Sequence, residues 1–222
     1  IYLMQKKRAL YLVGLIGLAL AAWFIFKKQE LANQVDSIEK TKLSAPTKGQ
    51  EISTDFNINT FKSKKEPLLL KQLRLCDSTL QWSEDENRPS CTPNFFRVFP
   101  LKKGLDLSQG CMVLMKAGVN HFPVRRFVIY EREGTQLVQA NGFIGYPIEL
   151  RPNANGYDDI VIRFFERYQG EKYFYNCLFT WKQHRYQYVC CEQINDADIK
   201  PEKQKEVSAE IWKILYEKQL AF

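Results

Sequence analysis

The rhythm of apolar and polar positions changes character along the chain, and each change marks an element. Residues 9–26, "ALYLVGLIGLALAAWFIF", carry no charge, and such a run has the length of a helix that crosses a bilayer. Beyond it Leu31, Val35 and Ile38 recur at helical spacing, so the helix is expected to continue for a few turns. Residues 43–67 hold no sustained period and are rich in Ser, Thr, Lys, Asn and Gly, the composition of a flexible linker.

From residue 68 to 194 the text becomes short runs rich in aromatic and β-branched side chains. Residues 95–99, 111–115, 126–130, 142–150, 159–165, 172–181 and 185–191 read as strands. Leu69, Leu73 and Leu75 are ambiguous between helix and strand, and tight turns are expected at Glu133-Gly134 and around Lys182-Gln183-His184. Close spacing and short turns predict a mainly-β (β-rich α+β) domain, an antiparallel sandwich or partial barrel. After Pro201, the positions Val207, Ile211, Ile214, Leu215 and Phe222 follow helical spacing, with Trp212 and Tyr216 beside them. They predict a C-terminal amphipathic helix over 201–222, capped by Asp196 or Asp198 and lying on the sheet. The expected organisation is a stub and transmembrane helix over 1–28, an extension and linker over 29–66, and a β-rich domain over 67–222.

Charge refines this outline. Lys and Arg number 32 against 25 Asp and Glu, a net +7, but Lys6, Lys7, Arg8, Lys27 and Lys28 flank the apolar run and supply five of those charges. The remainder, 27 basic and 25 acidic side chains, predicts a mixed surface with no basic face, and therefore no nucleic-acid partner. A cleaved signal peptide is the competing reading of the apolar run, with Ala19-Leu20-Ala21 as its cleavage site. Trp23, Phe24, Ile25 and Phe26 prolong the run past that point and end on Lys27-Lys28, which favours an anchor. The basic balance of its flanks places the N-terminus in the cytoplasm and the domain in the periplasm, across the inner membrane. Gly14, Gly17 and Ala21 share one face of that helix, where small residues permit close packing against another membrane helix.

Candidate chemistry is sparse. A Ser-His-Asp or Cys-His site would need His121 or His184, the two histidines of the chain, and both sit in expected loops. No phosphate-cradling glycine loop, Gly-x-Ser-x-Gly or His-Glu-x-x-His occurs, and Glu166 has no evident partner acid, so an enzyme is not expected. The six cysteines have no Cys-x-x-Cys spacing for zinc. Cys76 and Cys91 bracket a polar loop, and Cys177 and Cys190 lie on two strands of one expected hairpin, so disulfides in an oxidising compartment fit, as do buried free thiols. The densest feature is residues 167–189, "RYQGEKYFYNCLFTWKQHRYQYV", in which Tyr173, Tyr175 and Trp181 share one parity and Tyr186 and Tyr188 another. Alternate aromatics build either a core or an exposed binding face for protein, peptide or glycan.

The remaining lead is the stretch Asn153-x-Asn155-Gly156-x-x-Asp159 followed by the run Ile160, Val161, Ile162. It resembles the calcium loop of integrin-type FG-GAP repeats, and the likeness extends over residues 151–191. The resemblance implies calcium as cofactor, held by Asn153, Asn155 and Asp159. This chain has Arg151 where a further acid would stand and neutral Asn at two ligand positions, and calcium needs six to eight oxygens with balancing carboxylates. The same residues also suit a strand-initiating turn. Together these features predict a non-catalytic, single-pass accessory or scaffold subunit of an envelope membrane-protein complex, or else a tethered ligand-binding module.

Overall fold

The computed structural model describes residues 49–56, 59–80, 89–116, 126–154 and 156–222. The apolar run 9–26, with Gly14, Gly17 and Ala21, lies outside them, as do Asn155 and His121. Among the described residues no helix is long and apolar enough to cross a membrane.

The domain is mainly β and consists of two curled antiparallel sheets. In chain order its elements are β1 (Gln50–Glu51), α1 (Lys65–Gln72), β2 (Phe96–Pro100), β3 (Gly110–Met115), β4 (Arg126–Glu133), β5 (Gln136–Ile144), β6 (Tyr146–Arg151), β7 (Asp159–Tyr168), β8 (Glu171–Lys182), β9 (Arg185–Ile194), β10 (Ala197–Asp198) and α2 (Gln204–Glu217). Strands β2, β3, β4 and β5 form a meander, and β1, β6, β7, β8, β9 and β10 form the larger sheet in that order. The expected strand over 142–150 is in fact the end of β5 and the start of β6. Gly145 divides them, since a Cβ there would stand 2.7 Å from the Arg163 carbonyl, and this close approach lets the chain pass from one sheet to the other.

Within the meander β2, β3 and the middle of β4 are buried on both faces, which is why β3 is continuously apolar. Phe96, Val98, Cys111, Val113, Val128 and Tyr130 face Leu69 and Leu70 of α1. The opposite parity, through Phe127 and Phe143, meets the larger sheet. An aromatic chain runs across the molecule: Phe127 on Phe143 (4.8 Å), Phe143 on Phe179 (5.2 Å), Phe179 on Tyr188 (5.5 Å) and Tyr188 on Trp212 of α2 (5.1 Å). Such pairs add about 1 kcal/mol each beyond their buried area. Asn141 joins the two sheets within this core, accepting from the Tyr186 amide at 2.6 Å and donating to its carbonyl at 3.2 Å.

Two sequence expectations move. The domain begins before residue 67, because β1 pairs with β6 and Ile52 and Phe56 are buried, so part of the expected linker is sheet. The C-terminal helix is shorter than 201–222. A 3-10 turn over Pro201–Lys203 precedes α2, and neither Asp196 nor Asp198 caps it: they bond Arg163 and Gln193 instead. After α2 the chain turns back, and Leu220 and Phe222 hydrogen-bond the edge of β5 at Ile144 and Gly142 (2.7–2.9 Å). Phe222 thus covers Gly142 instead of continuing the helix; a Cβ on Gly142 would lie 2.2 Å from its ring.

Candidate functional site

Each sequence-derived candidate now has a place. Asn153 and Asp159 do meet, through a hydrogen bond from the Asn153 amide nitrogen to Asp159 Oδ1 (2.7 Å). The neighbouring oxygens are also engaged: Gly156 O accepts from Lys102 Nζ (3.1 Å), and Asp158 O accepts from the Tyr186 hydroxyl (2.7 Å). A lysine ammonium therefore stands at this loop, and the polar side chains close a turn that launches β7. Among the described residues no three His, Cys, Asp or Glu side chains are placed to share a metal ion.

The aromatic segment divides into core and surface. Tyr175, Tyr186 and Tyr188 are only 5%, 2% and 2% exposed, which overturns a binding role for these three. The Tyr188 hydroxyl donates to Ser208 O of α2 (2.9 Å), and burial raises its pKa well above that of a free tyrosine. Trp181 is half-buried against Tyr157 and Tyr186. Tyr173 is half-buried and stacks beside Tyr175 at 6.4 Å. The surface end of the segment is the β7–β8 turn, Gln169 (φ 50°) and Gly170 (φ 87°), closed by the pair Tyr168 and Glu171. Tyr168, 58% exposed, shares its sheet face with Tyr173 and was not singled out in the sequence. The signal that marks it is its place directly before the Gln169-Gly170 turn.

Under this tip lies Glu166, whose partners are now evident. It is buried, accepts from the Tyr175 hydroxyl (2.8 Å) and pairs with Lys218 just beyond α2. Burial first, then the bond to Glu166, keeps Tyr175 protonated far above the usual range. On the opposite sheet face Arg151 bridges Glu149 (2.7 Å) and Glu192 (2.6 Å), while Glu149 also receives the Gly49 amide (2.7 Å). These carboxylates, Glu166 buried and the other two half-buried, tie strands, helix and N-terminal segment together.

The cysteines also separate. Cys76 and Cys91 are bonded, with Cα atoms 5.1 Å apart. Cys177 and Cys190 are not: the β8–β9 register sets Cys177 opposite Cys191 and Cys190 opposite Leu178. A bulge between Leu178 and Phe179 displaces β9, so Cys190 faces away from Cys177. Burial pushes the Cys190 thiol up to about 12, and Cys177 also rises, first by burial and then by the neighbouring Cys191. His184 sits in the turn as expected, its side chain 80% exposed and 3.0 Å from Glu131.

Comparison with known proteins returns no match to a family model, to a curated protein or to a solved structure.

Proposed function

We propose that the chain is a membrane-tethered, non-catalytic accessory subunit whose β-rich domain contacts a partner protein of an envelope complex. The observation that carries this reading is the way the N-terminal segment enters the domain. It enters as a sheet strand: Gln50 and Glu51 pair with Leu150 and Glu149, and the Ile52 amide bonds Ile148 O at 2.9 Å. The segment that leads from the proposed anchor is thereby built into the domain's own sheet, as suits a tethered domain. The acids of the sheet point the same way, since half-buried Glu149 and Glu192 and buried Glu166 are engaged in structural ion pairs.

The contact surface follows from the division of the aromatic segment. Tyr168 and Tyr173 at the β7–β8 tip form an amphipathic aromatic pair on one face, the residue type of binding hot spots. The same tip serves the second reading, a tethered binder of glycan or peptide. The test is isolation of the full chain from native membranes. The accessory role predicts co-purifying membrane proteins that are lost with Tyr168→Ala plus Tyr173→Ala at unchanged thermal stability. A detergent-solubilised monomer that brings down no membrane protein refutes it. Glycan binding abolished by the same double substitution selects the second reading.

A further inference from the structure

The outward face of α1 differs from the rest of the surface. Glu66, the one acid of the helix, turns inward with Leu69 and Leu70 and accepts the Ser63 amide at 3.0 Å. Turned outward are Lys64, Lys65, Leu68 and Lys71, at the spacing of a single helix face. Leu68 is 64% exposed, above Tyr168 and Phe222 among the exposed large apolar residues. Lys62 precedes this face and Arg74 follows it. Of the nearby acids among the described residues, Asp106 pairs with Lys65, and Asp77 accepts from the Thr79 amide (2.9 Å) and hydroxyl (2.6 Å). Among the described residues, α1 thus gathers basic side chains in a way that the even charge total of the domain does not reveal.

Arg74 adds a second observation. It occupies the position just after the helix end with φ 57°, where the Leu75 amide returns to Leu70 O at 3.0 Å. Glycine adopts that left-handed conformation freely, and other residues adopt it at a cost, as Gln219 does in the same place after α2. An arginine there is locally unfavourable, yet it lines, with Lys71, Asp77 and Ser78, a surface pocket.

We propose that this face docks onto a membrane surface rich in anionic lipid, with Leu68 entering the interface and Lys64, Lys71 and Arg74 meeting phosphate headgroups. The inference rests on the reading of residues 9–26 as an anchor. Lysine-rich surfaces are depleted at protein–protein contacts, and leucine is rare among their hot spots. Basic residues around an apolar side chain are instead the composition of interfacial membrane binding. The stretch between Phe26 and Gln50 spans at most roughly 80 Å when extended, so a bilayer holding that anchor lies within reach of the domain. Tethering makes docking intramolecular, so a small basic face suffices.

The test uses the full chain with Leu68→Cys carrying an environment-sensitive fluorophore, reconstituted into vesicles of phosphatidylcholine alone or an equal mixture with phosphatidylglycerol. The free cysteines among the described residues are all buried, which directs the label to position 68. Expected is a blue-shifted emission, quenched by brominated lipid, in the anionic vesicles alone and reversed by high salt. Arg74→Gly should lower the docked-to-free ratio about fivefold without lowering thermal stability, and Lys64→Glu with Lys71→Glu should abolish docking. A chain that floats with both vesicles while its dye reports water overturns the docking alone. An equal response in both vesicles overturns the choice of anionic lipid. A chain that floats with neither overturns the anchor, and the docking with it.

Discussion

Tyr188 shows how one side chain serves two purposes. Its ring joins Phe179 to Trp212, and its hydroxyl reaches the Ser208 carbonyl at the start of α2. Tyr188→Phe keeps the ring and removes one buried hydrogen bond, a loss of about 1 kcal/mol. Tyr188→Ala opens a cavity and costs about 3–5 kcal/mol. Urea denaturation of the pair should resolve the two terms, and equal losses would contradict the packing described. Gly142 is the converse case, a position where absence of a side chain is used. Gly142→Ala should expel the Phe222 ring, and faster exchange of the Gly142 and Ile144 amide positions would report it. Tyr188 and Tyr173 have the same residue type and lie in the same aromatic run, so nothing in their identity separates a core ring from a surface one. The separation comes from α2, which covers Tyr188 and leaves the β7–β8 tip open.

Among elements, α1 illustrates what pattern alone resolves. Leu69, Leu73 and Leu75 were ambiguous because Leu69 and Leu70 face the sheet while Leu68 faces outward, which blurs any single period. Burial also sets the behaviour of Glu66. Desolvation raises its pKa, with the Ser63 amide opposing, so the folded chain holds this proton more tightly than the unfolded chain does. The contribution to stability therefore falls as pH rises from the unfolded value through the folded one. Glu66→Gln keeps an acceptor for Ser63 and removes the titration. Wild type minus variant should lose stability upward from the ordinary glutamate range, measured by urea midpoints at several pH values. A difference independent of pH would contradict the burial assigned to Glu66. The strand elements were more legible, since β7, β8 and β9 combine aromatic and β-branched runs with the Gln169-Gly170 and Gln183-His184 turns. The first half of β5, "QLVQAN", was missed because its apolar side chains are few and half-covered.

For the whole molecule, the disulfide and β1 fasten opposite parts of the domain. Cys76–Cys91 closes a loop with a sequence separation of 15, which in the chain-entropy account stabilises by about 3 kcal/mol. Cys76→Ser should lower the melting temperature, and added reductant should not lower the variant further. Removing residues up to 56 should also destabilise the domain, because it strips β1 from β6 and takes away Ile52 and Phe56. A fragment starting at 67 with undiminished stability would refute the boundary found here. The amino-acid sequence by itself determined the strand-rich class, the main turns and the amphipathic C-terminal helix, and it offered Cys76–Cys91 as a candidate pair. All of these depend on local period, backbone preference or short separation along the chain. Tertiary structure alone decided that Cys177 faces Cys191, that Tyr186 and Tyr188 are core, that residues 50 and 51 join the sheet, and that basic residues gather on α1. Each of those depends on register, on bulges or on which element covers which face, and these are set by contacts between residues far apart in sequence.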